Sequence, residues 1–246
     1  MRVYSDPKQI QRICDILSRY LRLPFSTDAI PGAILEGVLA HVRGGQRMNT
    51  YDFVDVVDRS GKVGWQVKST KAGTPVTWKR AKIPDAESLI ARSRKNEKGR
   101  QELGDAIIEF CNKHARESIV ALDLNEIGYA RLVAHQTGEV VYFERLLITK
   151  SKPQLFDPRD FSWNWSTPKN TVKKEQLPAL HGVHKASGTK WWAAHLLGEN
   201  QLHFSGEKNW WPRDNDPHRA TFTAPADSAK FSVEALLDLL DKSEGS

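Results

Sequence analysis

Two cysteines in 246 residues are too few for a disulfide scaffold, and Cys14 and Cys111 form no CxxC pair or spaced cluster of the kind that holds zinc. Both are expected to be small core residues in a reducing cytosol. No apolar run approaches the roughly 18 residues needed to cross a bilayer. The opening, MRVYSDPKQIQRIC, has no apolar segment of the signal-peptide type. The expectation is therefore a cytoplasmic protein with no membrane partner. A GxxxxGK[ST] loop is also missing, which argues against a nucleotide cofactor. Internal repeats and low-complexity tracts are absent. Hydrophobic residues make up 39% and charged residues 27%, the balance of a globular chain long enough for one large or two small domains.

Acidic residues are scarce in the middle of the chain. Between Arg59 and Arg100, twelve Lys and Arg face only Asp85, Glu87 and Glu97, an excess of nine positive charges. From Arg145 to Lys174 the excess is five, whereas Ala226 to Ser246 carries a net charge of −3. A basic middle of this kind is the electrostatic footprint of a phosphate-backbone partner.

Periodicity predicts helices over Asp6–Leu23 and Ala29–Arg43, the first capped by Asp6 with Pro7 in its first turn. Strands are expected at Tyr51–Asp58 and Val63–Thr70, joined by a turn at Arg59–Lys62. Lys71–Pro84 reads as a loop, Asp85–Asn96 and Arg100–Glu117 as helices, and Ser118–Leu124 as a short strand. A hairpin follows, Ile127–Ala134 and Glu139–Ile148. Thr149 to Ala224 holds six of the eight tryptophans and most of the histidines, and reads as irregular or short-stranded. A last helix is expected at Val233–Lys242. The least unlikely domain boundary gives a core at 1–150 and a Trp/His-rich region at 151–246.

The stretch TYDFVDVVDRSGKVGWQVKST carries the chemistry. An acid opens one strand, a tight turn follows, and the return strand places Gln66 and Lys68 on one face. In a hairpin of this length Asp52 can sit beside Gln66. A carboxylate and an amide oxygen can hold Mg²⁺, which takes oxygen ligands and keeps waters for a substrate phosphate. Lys68 would then project beside the metal, placed to act on an attacking water. Asp52 and Asp55 fall on opposite faces of a regular strand. Asp52 is favoured, and a bulge would bring in Asp55 instead.

This pattern resembles the PD-(D/E)XK nuclease superfamily, in particular type II restriction endonucleases, over about Asp6 to Leu124. The resemblance implies an α/β fold with a central mixed β-sheet flanked by helices, here elaborated in the C-terminal half. It also implies a Mg²⁺-dependent endonuclease acting on a short site in double-stranded DNA, commonly as a homodimer. The implied metal site is Asp52 and Gln66, with Glu36 of the preceding helix, and Lys68 is the implied catalytic lysine. Gln66 stands where an acid is commoner, and Tyr51 where the motif has proline. The alternatives are a repair-type nicking nuclease on the same core, or a DNA-binding module with a decayed site. Candidate DNA contacts are Lys71, Lys79, Arg80, Lys82, Lys185, Lys190, Lys208, Asn209 and Arg213. Tryptophan pairs such as Trp191–Trp192 could stack on bases, although large aromatics are usually core.

Overall fold

The computed structural model describes residues 2–48, 53–170, 175–198, 200–206 and 211–244. They form an α/β protein in two compact units that interleave along the chain. The first is Met1–Thr74, Leu122–Thr149 and Pro212–Ser246; the second is Pro75–Ala121 and Lys150–Trp211. Sequence reading expected two successive segments divided near residue 150. The chain does pass from one unit to the other at Thr149–Lys150, but the second unit also takes Pro75–Ala121 from the expected core, and the first takes the C-terminal residues.

Helices of the first unit follow their local signals. The helix α1 (Pro7–Tyr20) begins with a capping box: Asp6 Oδ1 accepts from the Gln9 amide at 2.8 Å, and Gln9 Oε1 accepts from the Asp6 amide at 3.0 Å. The helix α2 (Gly32–Arg43) stops at Gly44, whose φ of 66° is the left-handed turn that glycine takes without strain. A third helix, α5 (Val233–Glu244), exposes Leu237, Leu239 and Leu240.

The sheet of this unit is six-stranded and mixed, in the order β1 (Gln46–Arg47), β2 (Val56–Asp58), β3 (Val63–Lys71), β5 (Glu126–Ala134), β6 (Glu139–Thr149) and β13 (Arg219–Thr223). All neighbours are antiparallel except β3 and β5, which run parallel from Val63 beside Glu126 to Lys71 beside Ala134. A parallel pair needs a long crossover, and Pro75–Ala121 supplies it. The helix α1 packs on β13, and α2 packs on β2 and β3. Ile13, Leu17, Leu35 and Leu39 bury against Val56, Trp65, Leu132 and Tyr142.

A buried carboxylate ties the N-terminus to this sheet. Glu144 accepts from the Ser5 amide at 2.6 Å, the Ser5 hydroxyl at 2.7 Å and the Tyr142 hydroxyl at 2.6 Å. Arg43 donates to the Ser5 hydroxyl at 2.9 Å, and its guanidinium lies 4.7 Å over the Trp65 ring. Burial, then the Glu144 charge, push the Tyr142 phenol well above its ordinary range, so it stays a donor. Glu144→Ala leaves three buried donors without their acceptor. It should cost about 3 kcal/mol of stability, seen as a melting temperature lower by roughly 6–12 °C.

The second unit is a five-stranded antiparallel sheet in the order β4 (Val76–Arg80), β12 (Gln201–Phe204), β11 (Thr189–His195), β10 (Leu180–His184) and β7 (Phe161–Trp165). A two-stranded ribbon, β8 (Lys169–Asn170) and β9 (Glu175–Gln176), stands apart from it. Two helices complete the unit, α3 (Ala86–Ser93) and α4 (Glu97–Ala121). Trp78 and Trp192 pack edge to face on Phe156, Phe204 lies tilted against it, and α4 packs on β7. Gly104 of α4 leaves room for Trp163; a Cβ there would lie 2.2 Å from the indole.

Two expectations give way. Lys71–Pro84 is not all loop, because Val76 and Trp78 alternate inward as β4. Ser118–Ala121 continues α4 in place of a strand, since a short apolar run has no period that separates helix from strand. Thr149–Ala224 is short-stranded, as expected, and Trp163, Trp191 and Trp192 are buried.

Candidate functional site

The site is built on the β2–β3 hairpin. Asp58 Oδ1 accepts from the Ser60 hydroxyl at 2.7 Å and the Gly61 amide at 2.9 Å, which fixes the turn. The resulting register sets Val56 beside Trp65. Asp55 continues the line of β2, its amide donating to the Trp65 carbonyl at 2.8 Å. The Asp55 carboxylate crosses to β3, where Oδ2 accepts from the Val67 amide at 2.7 Å. Lys68 Nζ lies 3.9 Å from the same oxygen, with both side chains about one-fifth exposed (21% and 23%). The hairpin thus brings Asp55 and Lys68 together. Asp52, the favoured ligand from sequence, lies outside the described residues.

Gln66 stands between them in sequence and is buried at 2% exposure. Its Oε1 has no hydrogen-bond partner among the described residues. An unsatisfied buried acceptor costs about 1–3 kcal/mol, so a fold that keeps one beside a carboxylate has oxygen available for a cation. Asp55 and Gln66 offer one charged and one neutral oxygen donor, a set that suits a hard ion such as Mg²⁺. No group of three or more His, Cys, Asp or Glu that could hold a metal occurs among the described residues.

Glu36 lies on α2, which packs on this hairpin. Its carboxylate pairs with Arg47 Nη2 at 3.3 Å. The residues after Lys68 anchor the strand. The Ser69 hydroxyl donates to the Ile30 carbonyl at 2.5 Å, and Thr70 Oγ1 accepts from Arg131 Nη2 at 2.8 Å. Arg131, missed from sequence, sits beside Lys68 in the parallel register and is 2% exposed, with Nη1 reaching the Lys68 carbonyl at 3.4 Å. Its signal was an arginine inside the apolar run Ile127–Ala134.

The proposed DNA contacts divide between the two units, Lys71 and Arg213 in the first and the other described ones in the second. Lys71 pairs with Asp28 at 2.7 Å, a hydrogen bond that holds the Asp28 carboxyl below its usual range. Lys79 pairs in register with buried Leu202, on the side of α4, where its charge acts on Cys111 and His114. Arg80 pairs with Gln201 and is exposed, as are Lys82, Lys190 and Arg213. Exposed Lys185 donates to the Arg159 carbonyl at 2.8 Å. Lys208 and Asn209 lie outside the described residues. Burial pushes the thiols of Cys14 and Cys111 up to about 12, which keeps them protonated and inert. No helix among the described residues is long and apolar enough to cross a membrane. Compared with protein-family models, with curated proteins and with solved structures, the chain matches none of them.

Gln66 has a distinct signature. If Asp55 and Gln66 hold Mg²⁺ for a cleavage reaction, Gln66→Glu adds a full charge to that donor set, so half-maximal activity should need less Mg²⁺. The added charge would also lie close to a phosphate bound at such an ion, so the maximal rate should stay level or fall. Gln66→Ala should raise the Mg²⁺ requirement. A Mg²⁺ titration of cleavage rate for the three proteins checks this, and an unchanged requirement in both variants would remove Gln66 from the metal site.

Proposed function

We propose that the chain is a Mg²⁺-dependent endonuclease that hydrolyses phosphodiesters at a short site in double-stranded DNA, as a type II restriction endonuclease does. The observation that carries this is one hairpin bearing the Asp55 carboxylate, the Gln66 oxygen that has no partner among the described residues, and the Lys68 ammonium. The order of helix, antiparallel hairpin, crossover and parallel strand agrees with the PD-(D/E)XK resemblance.

Asp55 and Gln66 would hold the ion, with Glu36 reaching it only on release from Arg47. The bound ion would supply Lewis acidity toward the phosphate and a more acidic water. Lys68 orients the attacking water and offsets negative charge as the P–O bond to the leaving sugar oxygen breaks. Arg131 holds the Lys68 backbone in place from β5. A restriction enzyme reading a palindrome would act as a homodimer, each copy serving one strand.

Digestion of a supercoiled plasmid with Mg²⁺, followed by sequencing of the ends, tests the reading. Discrete fragments with one common end sequence support it. Nicked circles support the repair-type alternative, and duplex retention without cleavage supports a binding module.

Binding should also weaken steeply with salt, by about −0.9 in log K per log salt for each phosphate neutralised. Replacing Arg80, Lys82 and Lys190 together with alanine should make that slope shallower. An unchanged slope and affinity would return these residues to an ordinary solvated face.

A further inference from the structure

The outer face of the five-stranded sheet carries a hollow of about 240 Å³ that the hairpin chemistry does not use. Its floor follows from register. His181 of β10 pairs with Ala193 of β11, and Ala193 pairs with His203 of β12. Partners across a ladder share a face, so two imidazoles flank one methyl group. His195, two residues along β11, falls on that face as well, its ring 4.7 Å from that of His203. The opposite face is apolar, with Leu180, Trp192, Leu202 and Phe204 buried. Lys190 and Ser205 also line the hollow, and the Ser205 amide donates to the Trp191 carbonyl at 2.7 Å.

The lining is selective in its chemistry. It combines three histidines, a lysine and several hydroxyls, with no carboxylate among the described residues. A donor-rich wall without acids favours an anion with acceptor oxygens, of which phosphate is the commonest. Imidazole faces and the apolar groups of Pro75 and Leu177 favour a flat ring beside that anion. The volume lies below the roughly 300–1,000 Å³ of sites for drug-sized molecules, which limits the occupant to one nucleotide.

We propose that this hollow binds a single unstacked nucleotide, its phosphate held by Lys190 and its base packed on the imidazole of His195, with the His203 ring, tilted 57° to it, closing one edge. This rests on the DNA reading only for the source of the nucleotide, which is either a DNA strand or the free pool.

The test is titration of the full chain, without divalent metal, with each of the four deoxynucleoside monophosphates and with inorganic phosphate. At least one nucleotide should bind saturably with Kd of about 1 mM or tighter, and more tightly than inorganic phosphate. Lys190→Ala, at an exposed position, should weaken that binding at least tenfold, and so should Ala193→Leu, which fills the floor. Melting curves confirm that each variant is folded. Displacement of the nucleotide by a single-stranded oligonucleotide assigns the occupant to DNA, and retention assigns it to the free nucleotide; both support the site. No saturable binding, equal affinity for inorganic phosphate, or wild-type affinity in folded Lys190→Ala overturns it. Cleavage of plasmid without nucleotide binding would sink this proposal alone, and nucleotide binding without cleavage would sink the endonuclease reading alone.

Discussion

Lys68→Ala is expected to lower DNA cleavage by several orders of magnitude while leaving duplex affinity nearly unchanged. Affinity is spread over many basic groups, for the chain has 36 Lys and Arg, and one ammonium is a small part of the attraction to phosphates. Its place in the reaction is different. The ammonium is held 3.9 Å from the Asp55 carboxylate; in the proposed reaction charge would develop on the phosphate there as water attacks, and a preorganised charge would act on the transition state. Losing one such group typically costs about 10²–10³ in rate, and losing the water's orienting group adds to that. Single-turnover cleavage beside a filter-binding isotherm separates the two effects. Cleavage within tenfold of wild type would remove Lys68 from the chemistry.

Asp55→Asn should abolish cleavage. The substitution keeps the size of the side chain but takes away the carboxylate that lies 3.9 Å from Lys68, and with it the anionic ligand proposed for Mg²⁺. It also weakens the bond from the Val67 amide at 2.7 Å, so some loss of stability should accompany it. Added Mg²⁺ should raise the melting temperature of the wild type and leave that of Asp55→Asn unchanged, because an ion that binds only the folded state stabilises it. The same substitution at Asp52 is expected to cost less. If Asp52→Asn is the inactive variant and Asp55→Asn cuts normally, the ligand is Asp52.

The hairpin was legible because its signals are local. The alternation of Gln66 and Lys68 follows from period two, and the turn follows from Arg59-Ser-Gly-Lys62. The choice of acid is not settled by those signals: Asp52, favoured from sequence, lies outside the described residues, and the pairing of Val56 with Trp65 puts Asp55 at the end of β2. One residue of slip would change the partner of every side chain.

The partition of the chain was illegible for a related reason. The strand β4 joins β12 by pairing Arg80 with Gln201, a contact between segments more than a hundred residues apart, and no local pattern announces it. Tryptophan suits both a core and a stacking surface; the core role, the commoner one for large aromatics, is the one that Trp163, Trp191 and Trp192 take, with Trp163 filling the space at Gly104. Arg131 was hidden because burial of a cation reads, in sequence, as a break in an apolar strand.

The most direct measurement of the central claim is plasmid cleavage by the full chain as a function of Mg²⁺, with wild type and Asp55→Asn side by side. The account predicts that the wild type converts supercoiled plasmid to discrete fragments as Mg²⁺ is raised, stops on chelation with EDTA, and that Asp55→Asn binds the duplex but leaves it intact. A wild type that binds duplex and leaves it whole at every Mg²⁺ concentration, or an Asp55→Asn protein that cuts as fast as wild type, would contradict it.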